Sequence, residues 1–159
     1  MNSDRVLREG MFSEKSLQPY FAYGMNMNHA HMREIVPGAQ IVSQAILEGY
    51  RFGIASHGYA TVTPALGESV PGVVFLLSKE EVGVLDEFEG VHCGMYEKQL
   101  LHVRLPNTDD VVECLTYVTT GTASGKPQPG YLDVVIEGAI ENQLPAKHLK
   151  FLRTLAAQE

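Results

Sequence analysis

Cysteine is scarce in this sequence. Only Cys93 and Cys114 occur among the 159 residues, and neither belongs to a CxxC motif. Isolated thiols of this kind stay reduced in an ordinary cytoplasm, whereas disulfide frameworks and zinc sites need paired or clustered cysteines. The sequence therefore predicts a cytoplasmic protein with two free thiols.

Long apolar runs and basic clusters are also missing. No apolar stretch approaches the roughly 20 residues that cross a bilayer, and residues 1–10 lack the apolar core of a secretion signal. The 12 Lys and Arg are scattered and outnumbered by 19 Asp and Glu, for a net charge of −7. Because a phosphate-backbone binder needs a basic patch, we expect neither membrane nor nucleic acid as a partner.

The composition is that of a folded domain, with 45% hydrophobic and 19% charged residues. Residues 1–16 have no clear periodicity and are expected to form an extension that is flexible at its start. Residues 17–159 are expected to form a single domain.

Strand patterns dominate the middle of the chain and helical patterns its end, which predicts an α+β fold. Two helices at the end follow a loop over 121–130, and another short helix is expected over 28–36, before Pro37 and Gly38. The predicted strands cover 18–23, 39–56 with bends at glycine, 59–64, 71–77, 95–105 and 111–120, and the last two helices cover 131–142 and 145–157.

A capping box, Ser78 to Glu81, opens a further predicted helix that ends at Glu89 before Gly90. At about 100° per residue, Glu89 lies on the face that carries the apolar residues. An apolar surrounding and the negative end of the helix dipole both disfavour ionisation, which suits an acid–base role. The alternative, commoner on pattern alone, is a surface glutamate that reaches solvent past Gly90. Asp86 lies near the same face, either in such a site or on its rim.

The segment Tyr20–Met27 is an aromatic strand that stops at Gly24. The loop after it can present consecutive backbone N–H groups to an anion, although an ordinary tight turn has the same local sequence. Tyrosines in or beside other elements either surround a polar ligand together with this loop or serve packing alone. These tyrosines are Tyr59, Tyr96, Tyr117 and Tyr131.

Two further pairs of reactive side chains have weaker support. His29 and His31 form an HxH pair, but a helix directs residues two apart to different faces, so no metal site is expected. Cys93 beside His92 leaves open a thiol nucleophile, for which adjacent residues are poorly oriented.

Several separated segments together resemble the γ-glutamylcyclotransferases. Tyr20–Met27 resembles their YFAYGSNL/M signature, and Leu85–Val91 followed by Gly94-Met95-Tyr96 resembles their second signature, in which the glutamate before the glycine is catalytic. The similarity continues through Cys114–Tyr117, Pro129-Gly130-Tyr131 and Gly138–Pro145, and covers nearly everything from Tyr20 onwards.

The resemblance implies a small mixed β-barrel flanked by helices and a reaction that needs no cofactor. The α-amine of a γ-glutamyl group attacks its own γ-carbonyl, which gives 5-oxoproline and releases an amino acid or amine. On this pattern Glu89 is the general acid and base. The substrate-binding residues implied are Tyr20, Phe21, Ala22, Tyr23, Gly24, Met25, Asn26, Tyr96, Tyr117 and Tyr131.

Alternatives remain open at this point. The same chemistry removes γ-glutamyl protecting groups from biosynthetic intermediates in some bacterial relatives. A non-catalytic module that binds a small acidic ligand is a second alternative, since Met25 stands where the signature has serine. A cysteine-dependent hydrolase is the third. The expected partner is a small γ-glutamyl substrate, and a homodimer is left open.

Overall fold

In the computed structural model, which describes residues 16–158, five strands close into a barrel. The strand order is β1-β3-β2-β4-β5. Most neighbours are antiparallel, but β1 and β5 pair in parallel, with Tyr20 opposite Leu115, and this contact closes the barrel. The strands are β1 Gln18–Ala22, β2 Gln40–Ile54, β3 Ala60–Leu77, β4 Tyr96–Arg104 and β5 Val111–Thr119.

Within residues 16–158, four α-helices flank the barrel, which confirms the expected α+β fold. Asn28 caps the first of them by accepting a hydrogen bond from the His31 amide. The predicted capping box is present, since Ser78 Oγ accepts from the Glu81 amide and the Glu81 carboxylate accepts from the Ser78 amide. The helices are α1 His29–Ile35, α2 Lys79–Phe88, α3 Tyr131–Glu141 and α4 Ala146–Ala156.

The prediction of two strands over 59–64 and 71–77 is wrong, because Ala60–Leu77 is one strand. Its pairing with β2 passes from Pro64 opposite Tyr50 to Ser69 opposite Glu48, so residues 65–68 bulge outwards opposite Gly49. Gly49 and Gly67 both have positive φ, which glycine adopts without strain. The turn-forming residues therefore bend one long strand instead of ending it.

The barrel interior holds the core, in which Phe21, Phe75 and Leu77 are at most 2% exposed. Cys114 is buried in β5 and Cys93 is exposed, and neither forms a disulfide, as expected. None of the helices in residues 16–158 is long and apolar enough to cross a membrane. The extension predicted for residues 1–16 lies outside the described residues, except for Ser16.

Candidate active site

The loop after β1 is a tight turn that leads into α1. Residues Met25–Met27 form a 3-10 turn, closed by hydrogen bonds from the Met27 amide to the Gly24 carbonyl and from the Asn28 amide to the Met25 carbonyl. The amides of Gly24 and Asn26 do not take part in this closure. A Cβ atom at Gly24 would lie 2.8 Å from the Tyr131 hydroxyl oxygen, so glycine permits a close approach between the loop and α3.

Helix α3 holds this loop in place. The Asn142 side chain donates to the Met27 carbonyl (2.9 Å), and the Asn28 side chain donates to the Val134 carbonyl (3.1 Å). A Cβ atom at Gly138 would lie 2.8 Å from the Asn28 nitrogen, so the helix backbone packs directly against the turn. This packing brings Tyr131, the first residue of α3, beside Gly24.

Glu89 follows the last residue of α2 and points towards the loop. Its Oε1 accepts a 2.9 Å hydrogen bond from Asn26 Nδ2, which also donates to the Tyr20 hydroxyl at 2.9 Å. Burial raises the pKa of Glu89 to about 7, and the hydrogen bond from Asn26 opposes this rise in part. The carboxyl group can therefore gain and lose a proton near neutral pH.

A small cavity of about 30 Å³ lies beside this pair. Its volume holds about one water molecule. Five tyrosines contribute to the wall, each at most 7% exposed, and burial raises the pKa of each of their hydroxyls well above its usual range. The tyrosines are therefore uncharged at neutral pH. The lining residues are Tyr20, Tyr23, Gly24, Met25, Asn26, Ala60, Tyr96, Tyr117 and Tyr131.

Three of the tyrosines donate their protons to fixed acceptors. Tyr23 donates to the Tyr117 carbonyl, Tyr96 to the Ala60 carbonyl (2.6 Å) and Tyr117 to Asp86 Oδ1 (2.7 Å). Asp86 is itself paired with Lys98, with 2.9 Å between Oδ2 and Nζ. The proton of each of these hydroxyls is already engaged in a hydrogen bond. Each hydroxyl can therefore offer a ligand only its lone pairs, as a hydrogen-bond acceptor.

The other two tyrosine hydroxyls accept hydrogen bonds instead. The Ala60 amide donates to the Tyr131 hydroxyl (3.1 Å), while the Tyr20 hydroxyl accepts from Asn26. Among residues 16–158, neither hydroxyl has a hydrogen-bond acceptor for its own proton. Tyr20 and Tyr131 thus remain as donors, and the site offers both donors and acceptors to one small ligand.

The structure brings most of the implied site residues together. Phe21 and Ala22 are exceptions, because both are buried in β1 and neither lines the cavity. The sequence did not indicate Ala60, which contributes its backbone, or His31, whose ring contacts Asn26. Ala60 belongs to no motif and His31 only to the HxH pair, so the three-dimensional contacts alone identify their place in this site. Asp86 touches the site through Tyr117, in agreement with its predicted position near the face of Glu89.

The two histidines of the HxH pair have different hydrogen-bond partners, and His92 and Cys93 lie elsewhere, on an exposed turn. His29 contacts Asn142 at 3.0 Å, whereas His31 contacts Asn26 at 2.9 Å, and residues 16–158 contain no cluster of three metal-ligating side chains. His92 and Cys93 are both exposed on the 3-10 turn Val91–Cys93, and no hydrogen bond joins their side chains in the described structure. Neither pair has the geometry expected of a reactive centre.

Comparison with known proteins gives consistent relatives. A family model described as "AIG2-like family" matches residues 69–152. The human γ-glutamylcyclotransferase is 30% identical over an alignment of 149 residues that covers 86% of this chain and 77% of that protein. The bovine protein of the same name is 32% identical over an alignment of 148 residues that covers 86% of this chain and 77% of the relative.

A solved structure named γ-glutamyl cyclotransferase superposes with a TM-score of 0.81 at 29% identity, with 86% of each chain covered. The family-model match covers more than half of the chain, and the sequence relatives cover most of it. The chain therefore belongs to the AIG2-like, γ-glutamylcyclotransferase-like family.

Proposed function

We propose that this protein is a γ-glutamylcyclotransferase that converts a γ-glutamyl amide into 5-oxoproline and a free amine or amino acid, with Glu89 as its acid–base catalyst. The observation that carries the proposal is the contact between Glu89 and Asn26, which joins the two family signatures across 63 positions of sequence. The names of the relatives support the same activity.

The reaction moves two protons from the attacking nitrogen to the leaving nitrogen, one after the other. The ionised Glu89 carboxylate takes a proton from the substrate α-ammonium group, and the freed amine attacks the γ-carbonyl carbon. A carbon–nitrogen bond forms within the ring, and Glu89 gives its proton to the leaving nitrogen as the bond to that nitrogen breaks. The ring nitrogen then loses its second proton to Glu89, which passes it to the departing amine. A pKa near 7 suits both steps, because neither protonation state of Glu89 is strongly favoured.

Ring closure itself needs little chemical assistance. The attacking amine and the carbonyl belong to one molecule, and well-oriented intramolecular reactions reach effective molarities of about 10⁵ to 10⁸ M. The main task left for the protein is to hold the substrate folded, with its amine directed at its carbonyl.

The hydroxyl pattern fits the two charged groups of a γ-glutamyl head. The lone pairs of Tyr23, Tyr96 and Tyr117 suit an α-ammonium group, since these hydroxyls have no proton left to donate. The protons of Tyr20 and Tyr131, with the amides of the loop after β1, suit the α-carboxylate and the developing oxyanion. An acidic or purely apolar ligand would use only part of this set.

The substrate enters only if the cavity widens, because about 30 Å³ is too small for a glutamyl group. Met25 is the most adaptable wall residue, since its side chain is only half-buried and unbranched, with three rotatable bonds. We infer that Met25 moves aside on binding, and that its replacement of the signature serine affects substrate choice more than catalysis.

The test is 5-oxoproline release from a panel of γ-glutamyl dipeptides and γ-glutamyl amines. Wild type should produce 5-oxoproline from at least one of them, and Glu89→Gln should lower kcat by about 10² to 10⁴, the usual contribution of acid–base catalysis. Glu87→Gln is the matched control, because Glu87 lies exposed on the same helix.

Other outcomes assign the protein differently. Substrate binding without release of 5-oxoproline would contradict the proposed enzymatic activity and would indicate a non-catalytic binding module. Release of free glutamate that depends on Cys93 would identify a hydrolase. Turnover confined to γ-glutamyl amines would indicate removal of a protecting group by the same chemistry.

A further inference from the structure

The side-chain amide of Asn26 contacts Glu89, Tyr20 and His31. Its orientation decides whether its nitrogen or its oxygen faces Glu89. Its nitrogen donates to Glu89 and Tyr20, and its oxygen lies 2.9 Å from His31 Nε2. Asn26 is 4% exposed, so water has little access to complete an alternative set of hydrogen bonds. A rotation of the amide by 180° would exchange donor and acceptor towards Glu89.

Two of the three neighbours do not determine which way the amide points. The Tyr20 hydroxyl can accept from the amide nitrogen or donate to the amide oxygen. While it is ionised, Glu89 can only accept a hydrogen bond; once protonated, it can also donate its O–H group to the amide oxygen. In the proposed reaction Glu89 is protonated for part of every cycle, so during that time it no longer selects the orientation.

His31 is the remaining neighbour, and it is held from two sides. Its backbone amide donates to the Asn28 side chain (3.1 Å) in the first turn of α1, and its ring lies against Phe88, with 5.3 Å between ring centroids. With its proton on Nε2, the ring donates to Asn26 Oδ1 and keeps the amide nitrogen directed at Glu89. Nothing in either family signature indicates this contact.

We propose that His31 is a positioning residue, which holds the Asn26 amide with its nitrogen towards Glu89 throughout the reaction. This inference rests on the proposed function for its catalytic consequence, but the orientation of the amide can be measured without turnover. An amide that donates to Glu89 favours the carboxylate, and a rotated amide favours the carboxylic acid. Loss of His31 should therefore make Glu89 harder to ionise.

The tyrosines around this network stay neutral near neutral pH. Tyr20 and Tyr23 of β1 and its loop, Tyr96 of β4, Tyr117 of β5 and Tyr131 of α3 all have raised pKa values and are neutral. Partial burial lowers the pKa of His31, and Glu34 opposes this. Asp86 stands behind Tyr117 in its pair with Lys98.

The experiment compares His31→Phe, which keeps a ring against Phe88 but has no donor, with His31→Gln, whose amide nitrogen can replace Nε2. The titration of Glu89 is followed by carboxyl-carbon NMR in substrate-free protein. His31→Phe should move the titration midpoint to higher pH, and His31→Gln should return it towards wild type. His102→Phe is the control, because His102 is exposed on β4.

Kinetics provide the second measurement. His31→Phe should lower kcat/KM by about tenfold at pH 6.5 and by less than twofold at pH 9, where Glu89 is ionised in either case. A purely structural defect would lower the rate equally at both values. Circular dichroism and thermal unfolding establish that the variants are folded.

Three results would overturn the inference. The first is an unchanged Glu89 titration in folded His31→Phe, and the second is a pH-independent loss of rate in that variant. The third is a folded His31→Gln that behaves like His31→Phe. If no γ-glutamyl substrate is turned over, the proposed function fails while the NMR titration still decides the role of His31.

Discussion

Glu89 and His148 are both titratable side chains held largely away from water, and their surroundings differ. Glu89 receives a hydrogen bond from Asn26 beside a cavity lined with tyrosine hydroxyls. His148, in α4, packs between the rings of Phe52 and Phe151, and its Nε2 has no hydrogen-bond partner, alone among the buried side-chain nitrogen and oxygen atoms of residues 16–158.

Burial shifts both pKa values towards the neutral form, upwards to about 7 for Glu89 and downwards to about 4 for His148. A shifted pKa by itself therefore does not identify a functional group. Glu89 differs because its carboxylate accepts a hydrogen bond from Asn26, which belongs to the other family signature. The His148 ring contacts the rings of Phe52 and Phe151, and its Nε2 has no hydrogen-bond partner within residues 16–158, as expected of a packing residue.

The largest effect expected from this contrast concerns His148→Phe. Wild type should lose about 3 kcal/mol of unfolding free energy as the pH falls from 6.5 through 4, because the unfolded chain gains a proton that the buried ring does not take up. The variant should lack this component. Urea unfolding at pH 7 and pH 4 measures it, with the exposed His102→Phe as control. Equal acid sensitivity in wild type and His148→Phe would contradict the assignment.

A somewhat smaller effect of opposite sign is expected from Glu89→Gln. The folded protein holds the Glu89 proton more tightly than the unfolded chain, so this group stabilises below pH 4.5 and loses that contribution as the pH rises through 7. The variant should be about 2 kcal/mol more stable than wild type at pH 8, after allowance for partial solvent screening. Denaturant unfolding at pH 4.5 and pH 8 tests this. No gain at pH 8 would show that the carboxylate is well solvated.

The smallest effect is expected at Met25, which belongs to the wall of the Glu89 site and not to its proton transfer. Met25→Ser enlarges the cavity and adds a hydroxyl, so KM for a γ-glutamyl substrate should fall about fivefold, the equivalent of one neutral hydrogen bond, with kcat within about threefold. Steady-state kinetics on the preferred substrate measure both. A collapse of kcat at unchanged KM would place Met25 in the catalytic step instead.

Local signals in the sequence were sufficient for most elements. Ser78 and Glu81 mark the start of α2, Gly90 marks its end, and Asn28 caps α1, since each of these effects involves residues only a few positions apart. The bulge at residues 65–68 could not be found in this way. Turn-forming residues look alike whether they end a strand or bend one, and only the continued pairing with β2 distinguishes the two.

The sequence by itself determined the family, the helix that ends at Glu89 and the aromatic loop of the site, because these depend on motifs and short-range spacing. Tertiary structure alone decided that the Asn26 amide reaches Glu89, that the Ala60 backbone orients Tyr96 and Tyr131, and that His31 joins the network. The physical reason is that hydrogen bonds depend on atomic positions within a few tenths of an ångström. Barrel closure between β1 and β5 and the packing of α3 on the loop set those positions across the whole chain.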